Sequence, residues 1–156
     1  NVIDQDPSHF ENEFWEYDDY FEEIFKMTRE EMKEMAERDY ILYEYAINND
    51  PASEITWIEA PGEQSQITSD LWTGDGILVV NGNLKMTGGT FEGVIWVTGG
   101  LTIPKGNPLI KGAVFAEGEI TVPVGGTIDL LYDLDAIDLG VGKIATLPWI
   151  KFWEQL

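Results

Sequence analysis

Three segments of the chain repeat one pattern of alternating aliphatic residues between glycines. The segments begin at Gly76, Gly93 and Gly112 and align without a gap. Successive starting glycines are 17 and 19 residues apart, which is too short for a folded domain and typical of one coil of a stacked β-structure. The repeat therefore predicts a short β-solenoid of three to four coils.

Alternate residues of each repeat form columns, because successive side chains of a strand point to opposite faces. Lys85, Thr102 and Thr121 form a polar column that is expected to face solvent. Four columns are uniformly aliphatic, which suits the interior of a solenoid whose coils stack like residues on one another. They contain Leu78, Ile95 and Val114; Val80, Val97 and Ala116; Leu84, Leu101 and Ile120; and Met86, Ile103 and Val122.

Turns between the strands are predicted at three dipeptides that recur in phase. These are Asn81-Gly82, Thr98-Gly99 and Glu117-Gly118. Glycine adopts positive φ at little cost, so we expect these glycines to supply the left-handed conformation that such corners need.

The opposite face of the first strand in each repeat is apolar as well. A strand that is apolar on both faces is normally buried on both. We expect the N-terminal segment to cover this second face; an oligomer contact is the alternative, because an uncovered patch with Trp96 and Phe115 would be adhesive. The face consists of Ile77, Val79, Val94, Trp96, Ala113 and Phe115.

Residues 8–47 are predicted to form two helices. Residues 8–11 and 28–31 each have the sequence of a capping box, and Pro51 disfavours helix at the residue before it. A strand at residues 55–58 and a loop from Ala60 to Thr73 are expected to follow. Apolar residues recur at helical spacing after each box, namely Phe10, Phe14, Tyr17, Phe21 and Ile24, and then Met32, Met35, Ala36, Tyr40, Tyr43 and Ile47.

The predicted fold class is therefore α+β, with a helical N-terminal subdomain packed on a short Gly-rich β-solenoid. We expect an acidic helical subdomain in residues 1–54, a connecting strand and loop in 55–75, solenoid coils in 76–139 and a Trp-rich C-terminal cap in 140–156. The cap is expected to pack back on the helices, because a terminal coil must hide its open end.

Charge limits the classes of partner. The chain has 29 acidic and 9 basic residues, a net charge of −20, which repels phosphate backbones and anionic lipid, so no nucleic-acid partner is expected. The glutamates around Lys33 are expected to form a solvated helix face. No apolar run is long enough to span a bilayer. The chain begins with Asn1, so we expect a processed product or an excised ectodomain, with any membrane segment upstream or on a partner chain.

Chemistry-bearing residues are scarce. The chain has no cysteine and a single histidine, His9, so the residues of a zinc site or a nucleophilic pair are lacking. We expect no enzyme activity, no catalytic residue and no cofactor. Asp133, Asp135 and Asp138 are a weak candidate for Ca²⁺ binding, because they lack the loop glycine and terminal glutamate of an EF-hand.

Four aromatic residues are candidates for contact with a ligand or partner. Trp57 and Trp72 lie near acidic residues and could stack on sugar rings if exposed. Trp96 and Phe115 belong to the second apolar face and could contact a partner. Packing in the core or under a cap is the alternative for all four.

A family resemblance rests on three stretches. Residues 72–103 and 110–120 resemble the C-terminal solenoid region of PilX-like type IV pilus assembly proteins, and residues 129–156 are similar to that group's ending. Residues 20–36 resemble the helical stretch that precedes the solenoid in some members. The resemblance covers roughly residues 20–156, and its glycine-aliphatic repeats also occur in bactofilins and other β-solenoids.

The resemblance implies a pilin-like protein. In that group a prepilin peptidase processes an apolar N-terminal helix, which inserts into the membrane and then into the filament; this chain lacks it, so it was removed or a partner supplies it. The implied function is a non-enzymatic structural or adhesive subunit, an extracellular domain on the bacterial surface with pilin subunits or pilus assembly proteins as partners. A self-polymerising, bactofilin-like scaffold and a carbohydrate- or Ca²⁺-binding module are the alternatives.

Overall fold

The computed structural model of the chain describes residues 20–122 and the backbone of residues 129–131. Two helices come first, α1 (Tyr20–Phe25) and α2 (Arg29–Asp39). The strands that follow are β1 (Ile41–Tyr43), β2 (Ile55–Ile67), β3 (Thr73–Met86), β4 (Thr90–Val97), β5 (Leu101–Thr102), β6 (Leu109–Ala116), β7 (Ile120–Thr121) and β8 (Asp129–Leu131).

Every pair of these strands is parallel, and the main path of the sheet runs β1-β2-β3-β4-β6-β8, with β5 between β3 and β7. Each turn of the chain thus stacks on the preceding one, which makes a β-solenoid of about four turns. Three ladders of strand segments result. Ladder 1 holds residues 41–43, 55–58, 77–80, 94–97 and 113–116; ladder 2 holds 64–67, 83–86, 101–102 and 120–121; ladder 3 holds 73–76, 90–93, 109–112 and 129–131.

The interior of the solenoid is built from the aliphatic columns, as predicted. Leu78 pairs with Ile95 and Ile95 with Val114, so the column stacks directly. Burying each such side chain contributes about 1.5–3 kcal/mol before entropic costs. The buried members are Leu78, Val80, Leu84, Met86, Ile95, Val97, Leu101 and Ile103, against which Val114 and Ala116 pack.

Ile120 and Val122 were also expected in the interior, and that expectation is wrong. Ile120 is 52% exposed and Val122 40% exposed. Within the described residues β7 pairs only with β5, so no described strand of ladder 2 stacks on β7.

Residues of α1 and α2 cover the outer face of ladder 1, which confirms the expected cover from the N-terminal side. Phe21 meets Trp96 edge-on, with ring centroids 5.2 Å apart. A larger helical subdomain is not confirmed, because residues 1–19 lie outside the described part of the chain. The buried cluster joins Phe21, Phe25, Met32 and Ala36 to Ile55, Trp57, Ile77, Val79, Val94, Trp96 and Ala113.

The second helix is shorter than its apolar spacing predicted. The capping box at Thr28 is present, but α2 ends at Asp39, and Ile41–Tyr43 form β1, paired with β2. The prediction of helix to residue 47 is therefore wrong. The spacing misled because Tyr43 and Ile47 pack in the solenoid interior, whereas Met32 and Ala36 face ladder 1.

The loop predicted from Ala60 to Thr73 is also wrong for much of its length, since β2 continues to Ile67. Its register on β3 shifts between Glu59 and Gln64, where Gly62 has a φ of +78°. In residues 64–67 only Ser65 and Ile67 are buried, so the strand carries little apolar signal. Regular stacking consequently begins before Gly76.

A column of glycines joins ladder 3 to ladder 1. Gly76, Gly93 and Gly112 have φ values of +88°, +138° and +143°. A Cβ on Gly93 or Gly112 would lie 1.9 Å from the carbonyl oxygen of the column residue one coil earlier, and one on Gly76 would lie 2.1 Å from that of Glu54. These positions therefore require glycine for both conformation and space.

The glycines of the predicted turns behave differently from the prediction. Of the three, only Gly82 has a positive φ, so the prediction is wrong for Gly99 and Gly118. Those two lie where coils approach closely: a Cβ on Gly118 would lie 2.9 Å from the carbonyl carbon of Gly99. Close stacking rather than left-handed geometry explains glycine there.

Gly93→Ala should destabilise the protein more than Gly62→Ala. Both glycines have positive φ, but a Cβ on Gly62 meets nothing within 4 Å, whereas one on Gly93 meets the Gly76 carbonyl oxygen. We expect a loss of about 1 kcal/mol for Gly62→Ala and about 3 kcal/mol or more for Gly93→Ala. Urea denaturation measures both, and equal losses would contradict the stacked column.

Candidate functional site

A polar column lines the corner where ladder 1 turns into ladder 2. This corner column consists of Glu59, Asn81, Thr98 and Glu117, one from each successive coil. Asn81 Nδ2 donates to Glu59 Oε2 at 3.0 Å, and Thr98 Oγ1 donates to Asn81 Oδ1 at 3.0 Å. The side chains thus link three coils beside the backbone ladder.

The two carboxylates of the corner column each accept a hydrogen bond from a tryptophan of ladder 1. Trp57 Nε1 donates to Glu59 Oε1 at 2.7 Å, and Trp96 Nε1 donates to Glu117 Oε2 at 2.7 Å. Both indoles are buried beneath the helices, and a buried N–H needs such a partner. The carboxylates therefore allow tryptophan in an otherwise apolar cluster.

Helix α2 contributes one cation to each carboxylate. Lys33 Nζ lies 3.5 Å from Glu59 Oε1, and Arg29 forms an ion pair with Glu117. Arg29 and Lys33 are four residues apart and hence lie on the same side of the helix. The corner column thus meets α2 at two points, one near each end of the column.

Arg29 makes the more extensive contact. Its guanidinium carbon lies 5.2 Å from the centre of the Phe21 ring and 5.7 Å from that of Trp96, within the range of a cation–π interaction. Arg29 is the first residue of α2, where the helix dipole disfavours positive charge. Its tertiary contacts to α1, ladder 1 and the corner column account for a cation at this position.

The environment of Glu59 lowers the pKa of its carboxyl group. Partial burial raises that pKa, but the hydrogen bonds from Trp57 and Asn81 and the charge of Lys33 together lower it further than burial raises it. The ionised form of Glu59 is therefore favoured in the folded protein.

The four aromatic candidates divide between two places. Trp57 and Trp96 are each 3% exposed and lie under the helices, and the half-buried Phe115 stacks on Trp96 with centroids 5.2 Å apart. Trp72, 6% exposed, belongs to the interior cluster. The three indole rings are thus buried in the described structure, and contact of the four residues with a ligand or partner stays a prediction.

Trp72 has its own partners at the other side of the solenoid. Its ring stacks on Phe91 with an interplanar angle of 12° and centroids 6.3 Å apart. Its Nε1 donates to the carbonyl oxygen of Asp50 at 2.8 Å. These contacts fasten the chain before β2 to the later coils.

The Ca²⁺ candidates Asp133, Asp135 and Asp138 lie outside the described residues, so this hypothesis stays a prediction. Among residues 20–122 and 129–131, no group of three His, Cys, Asp or Glu side chains could hold a metal ion. In the same part of the chain, no helix is both long and apolar enough to cross a membrane.

Sequence reasoning missed the corner column and its cations. The sequence pattern places Asn81 and Thr98 only in turns, and Lys33 on a solvated helix face. One signal was available: Glu59 follows Trp57 by two positions, which puts both side chains on the same side of a strand. The cross-coil bond from Trp96 to Glu117 spans 21 residues and has no comparable local signal.

The arrangement is suited to holding a helix pair on a solenoid. Each carboxylate of the corner column is engaged by an indole N–H and by a cation. No protein-family model, no curated protein and no solved structure matches the chain.

Arg29→Ala should lower the free energy of unfolding by about 1–2 kcal/mol, because it removes the ion pair to Glu117 and the contacts with Phe21 and Trp96. The matched control is Arg38→Ala on the same helix. Arg38 is exposed and pairs with its neighbour Asp39, so its loss should cost less than about 0.5 kcal/mol. Thermal or urea unfolding compares the two variants. Equal losses of stability would contradict the inference that Arg29 holds α2 against the solenoid.

Glu59→Gln should remove part of the pH dependence of stability. A carboxyl group whose pKa is lowered by folding stabilises the protein above its unfolded pKa, about 4.3, and this contribution is lost as pH falls through its folded pKa. The stability difference between the wild type and Glu59→Gln should therefore be constant above about pH 5 and shrink below it. Urea titrations at several pH values measure this difference.

Trp57→Phe tests the cause of that pH dependence. It keeps an aromatic ring under the helices but removes the indole N–H that Glu59 accepts. On acidification, the Trp57→Phe variant should therefore lose less stability than the wild type does. A difference between wild type and Glu59→Gln that does not change with pH would contradict the lowered pKa.

Proposed function

We propose that the chain is a non-enzymatic structural or adhesive subunit, the extracellular β-solenoid domain of a type IV pilus-related protein. One observation carries the proposal. The carboxylates of the corner column contact the indole N–H groups of ladder 1 and the cations of α2, so these polar groups hold parts of the same chain together. A chain that uses these groups to fasten helices to a solenoid is organised as a scaffold.

The resemblance to PilX-like pilus assembly proteins is the basis for the proposed partners and location. Pilin subunits or other pilus assembly proteins are the proposed partners, and the bacterial cell surface is the proposed location. The strongly acidic chain, with a net charge of −20, suits a soluble displayed domain and favours partners with basic surfaces.

The helical N-terminal subdomain belongs to this proposal. The described helices α1 and α2 support it, because they already cover ladder 1. We propose that helical structure extends to the N-terminal side of Tyr20, and that contact with a membrane or filament core is made by an apolar helix upstream or on a partner chain.

Filament shearing tests the proposal in the bacterium that encodes the chain. An antibody against the purified chain should detect it in the sheared pilus fraction, and immunogold labelling should mark the cell surface. Deletion of the prepilin peptidase should remove the protein from that fraction while total expression persists. Detection only in the cytoplasm would overturn the proposal.

The self-polymerising scaffold is the second candidate, because Ile120 and Val122 are exposed at the last described strand of ladder 2. Electron microscopy of the purified chain distinguishes the two. The pilus-subunit proposal predicts a non-filamentous protein, whereas filaments formed by the chain alone would favour the scaffold.

A further inference from the structure

One residue of the corner column is chemically labile. Asn81 precedes Gly82, and this is the only Asn-Gly pair in the sequence. In such a pair the backbone nitrogen of the glycine can attack the side-chain carbonyl carbon of the asparagine. Glycine favours this attack because it has no side chain to hinder the approach and adopts conformations that other residues avoid. In an unfolded chain, Asn81 is therefore a site of deamidation.

Deamidation exchanges the side-chain amide for an acid in two steps. A bond forms between the Gly82 nitrogen and Asn81 Cγ, the Cγ–Nδ2 bond breaks, and Nδ2 leaves as ammonia with the proton that the Gly82 nitrogen gives up. Water then opens the succinimide ring at either carbonyl group. The product is aspartate or, where the main chain now runs through the side chain, isoaspartate. Water is the only co-reactant.

The fold holds the reacting groups in hydrogen bonds. The Gly82 N–H donates to Thr98 Oγ1 at 2.9 Å, and Thr98 Oγ1 donates to Asn81 Oδ1 at 3.0 Å. On the other side, Asn81 Nδ2 donates to Glu59 Oε2 at 3.0 Å. For Asn81 Cγ to reach the Gly82 nitrogen, the side chain must turn, which breaks its bonds to both neighbouring coils.

The backbone at Gly82 is restrained as well. Gly82 lies within β3 and is buried, and its carbonyl oxygen accepts a hydrogen bond from the Gly99 N–H at 2.8 Å. A Cβ at this position would collide with the carbonyl oxygen of Ala60, so the adjacent coil leaves no room for the backbone to shift. The reaction consequently requires local opening of the corner column.

We propose that Asn81 is a latent modification site, which the corner column protects in the folded chain and whose deamidation after local opening irreversibly weakens the corner. An aspartate at this position lacks the Nδ2 donor and places a second carboxylate beside that of Glu59. The two like charges repel each other, and Lys33, the cation that faces Glu59, must then serve both. Isoaspartate additionally lengthens the backbone of β3 by a methylene group where the coils stack closely. The inference is independent of the proposed function.

Peptide mapping of the purified full chain by mass spectrometry tests the inference. At mildly alkaline pH, the native chain should deamidate at Asn81 at least about 30-fold more slowly than the chain unfolded in guanidinium chloride. Thr98→Val removes the hydroxyl group that binds both the Gly82 N–H and Asn81 Oδ1, and should raise the native rate at least about fivefold. Thr102→Val, at a half-buried threonine of β5, is the matched control and should leave the rate unchanged.

Hydrogen exchange of the Val79 amide in the same variants separates local from global opening, because that residue lies in the interior of β3. In Thr98→Val the deamidation rate should rise by a larger factor than this exchange rate. Equal factors would trace the reaction to global unfolding and overturn the inference. So would a native rate as fast as the unfolded rate, a native rate that Thr98→Val leaves unchanged, or an Asn81 that stays intact in the unfolded chain.

Asn81→Asp reproduces the product, and Asn83→Asp is its matched control. Both variants add a negative charge, but Asn83 Oδ1 accepts from the Gly100 N–H at 2.9 Å, a role that an aspartate keeps. At neutral pH, Asn81→Asp should raise the equilibrium constant of unfolding at least about tenfold more than Asn83→Asp does. Urea denaturation measures both constants, and equal increases would contradict a weakening of the corner by deamidation.

Discussion

Ladder 1 is apolar on both faces, and the rest of the described structure depends on that constraint. Its inner face packs with the other ladders in the solenoid interior, while its outer face, with Trp57 and Trp96, must be shielded from water. The short helices α1 and α2 supply that shield, although six and eleven residues form little stable helix alone. Solenoid and helices thus stabilise each other.

The corner column determines where the helices lie on the apolar outer face of ladder 1. Buried indole N–H groups require acceptors, and Glu59 and Glu117 provide them at the border of the apolar cluster. The same carboxylates attract Lys33 and Arg29, which sets the position of α2 along the stack. Hydrophobic burial provides most of the free energy, whereas these polar contacts fix where the helix lies.

The solenoid could be predicted from sequence because stacking repeats one environment in every coil. The columns of Leu78 and Val80 and the glycine spacing carry that signal directly. Helix α2 was overextended because Tyr43 and Ile47 satisfy helical spacing while packing in the interior. The second half of β2 was missed because most of its side chains face solvent. Contacts between distant residues, such as Arg29 with Glu117, have no local pattern and emerge only from the fold.

We infer that the helices and the solenoid form one cooperative unit joined at ladder 1. Hydrogen exchange of the Trp96 indole N–H tests it most directly, because that group lies beneath the helices and donates to Glu117. We expect the indole N–H to exchange as slowly as the backbone amides of β3 and β4, at a rate set by global unfolding. Fast indole exchange beside protected β3 and β4 amides would contradict it, since the helices would then leave a solenoid that stays folded.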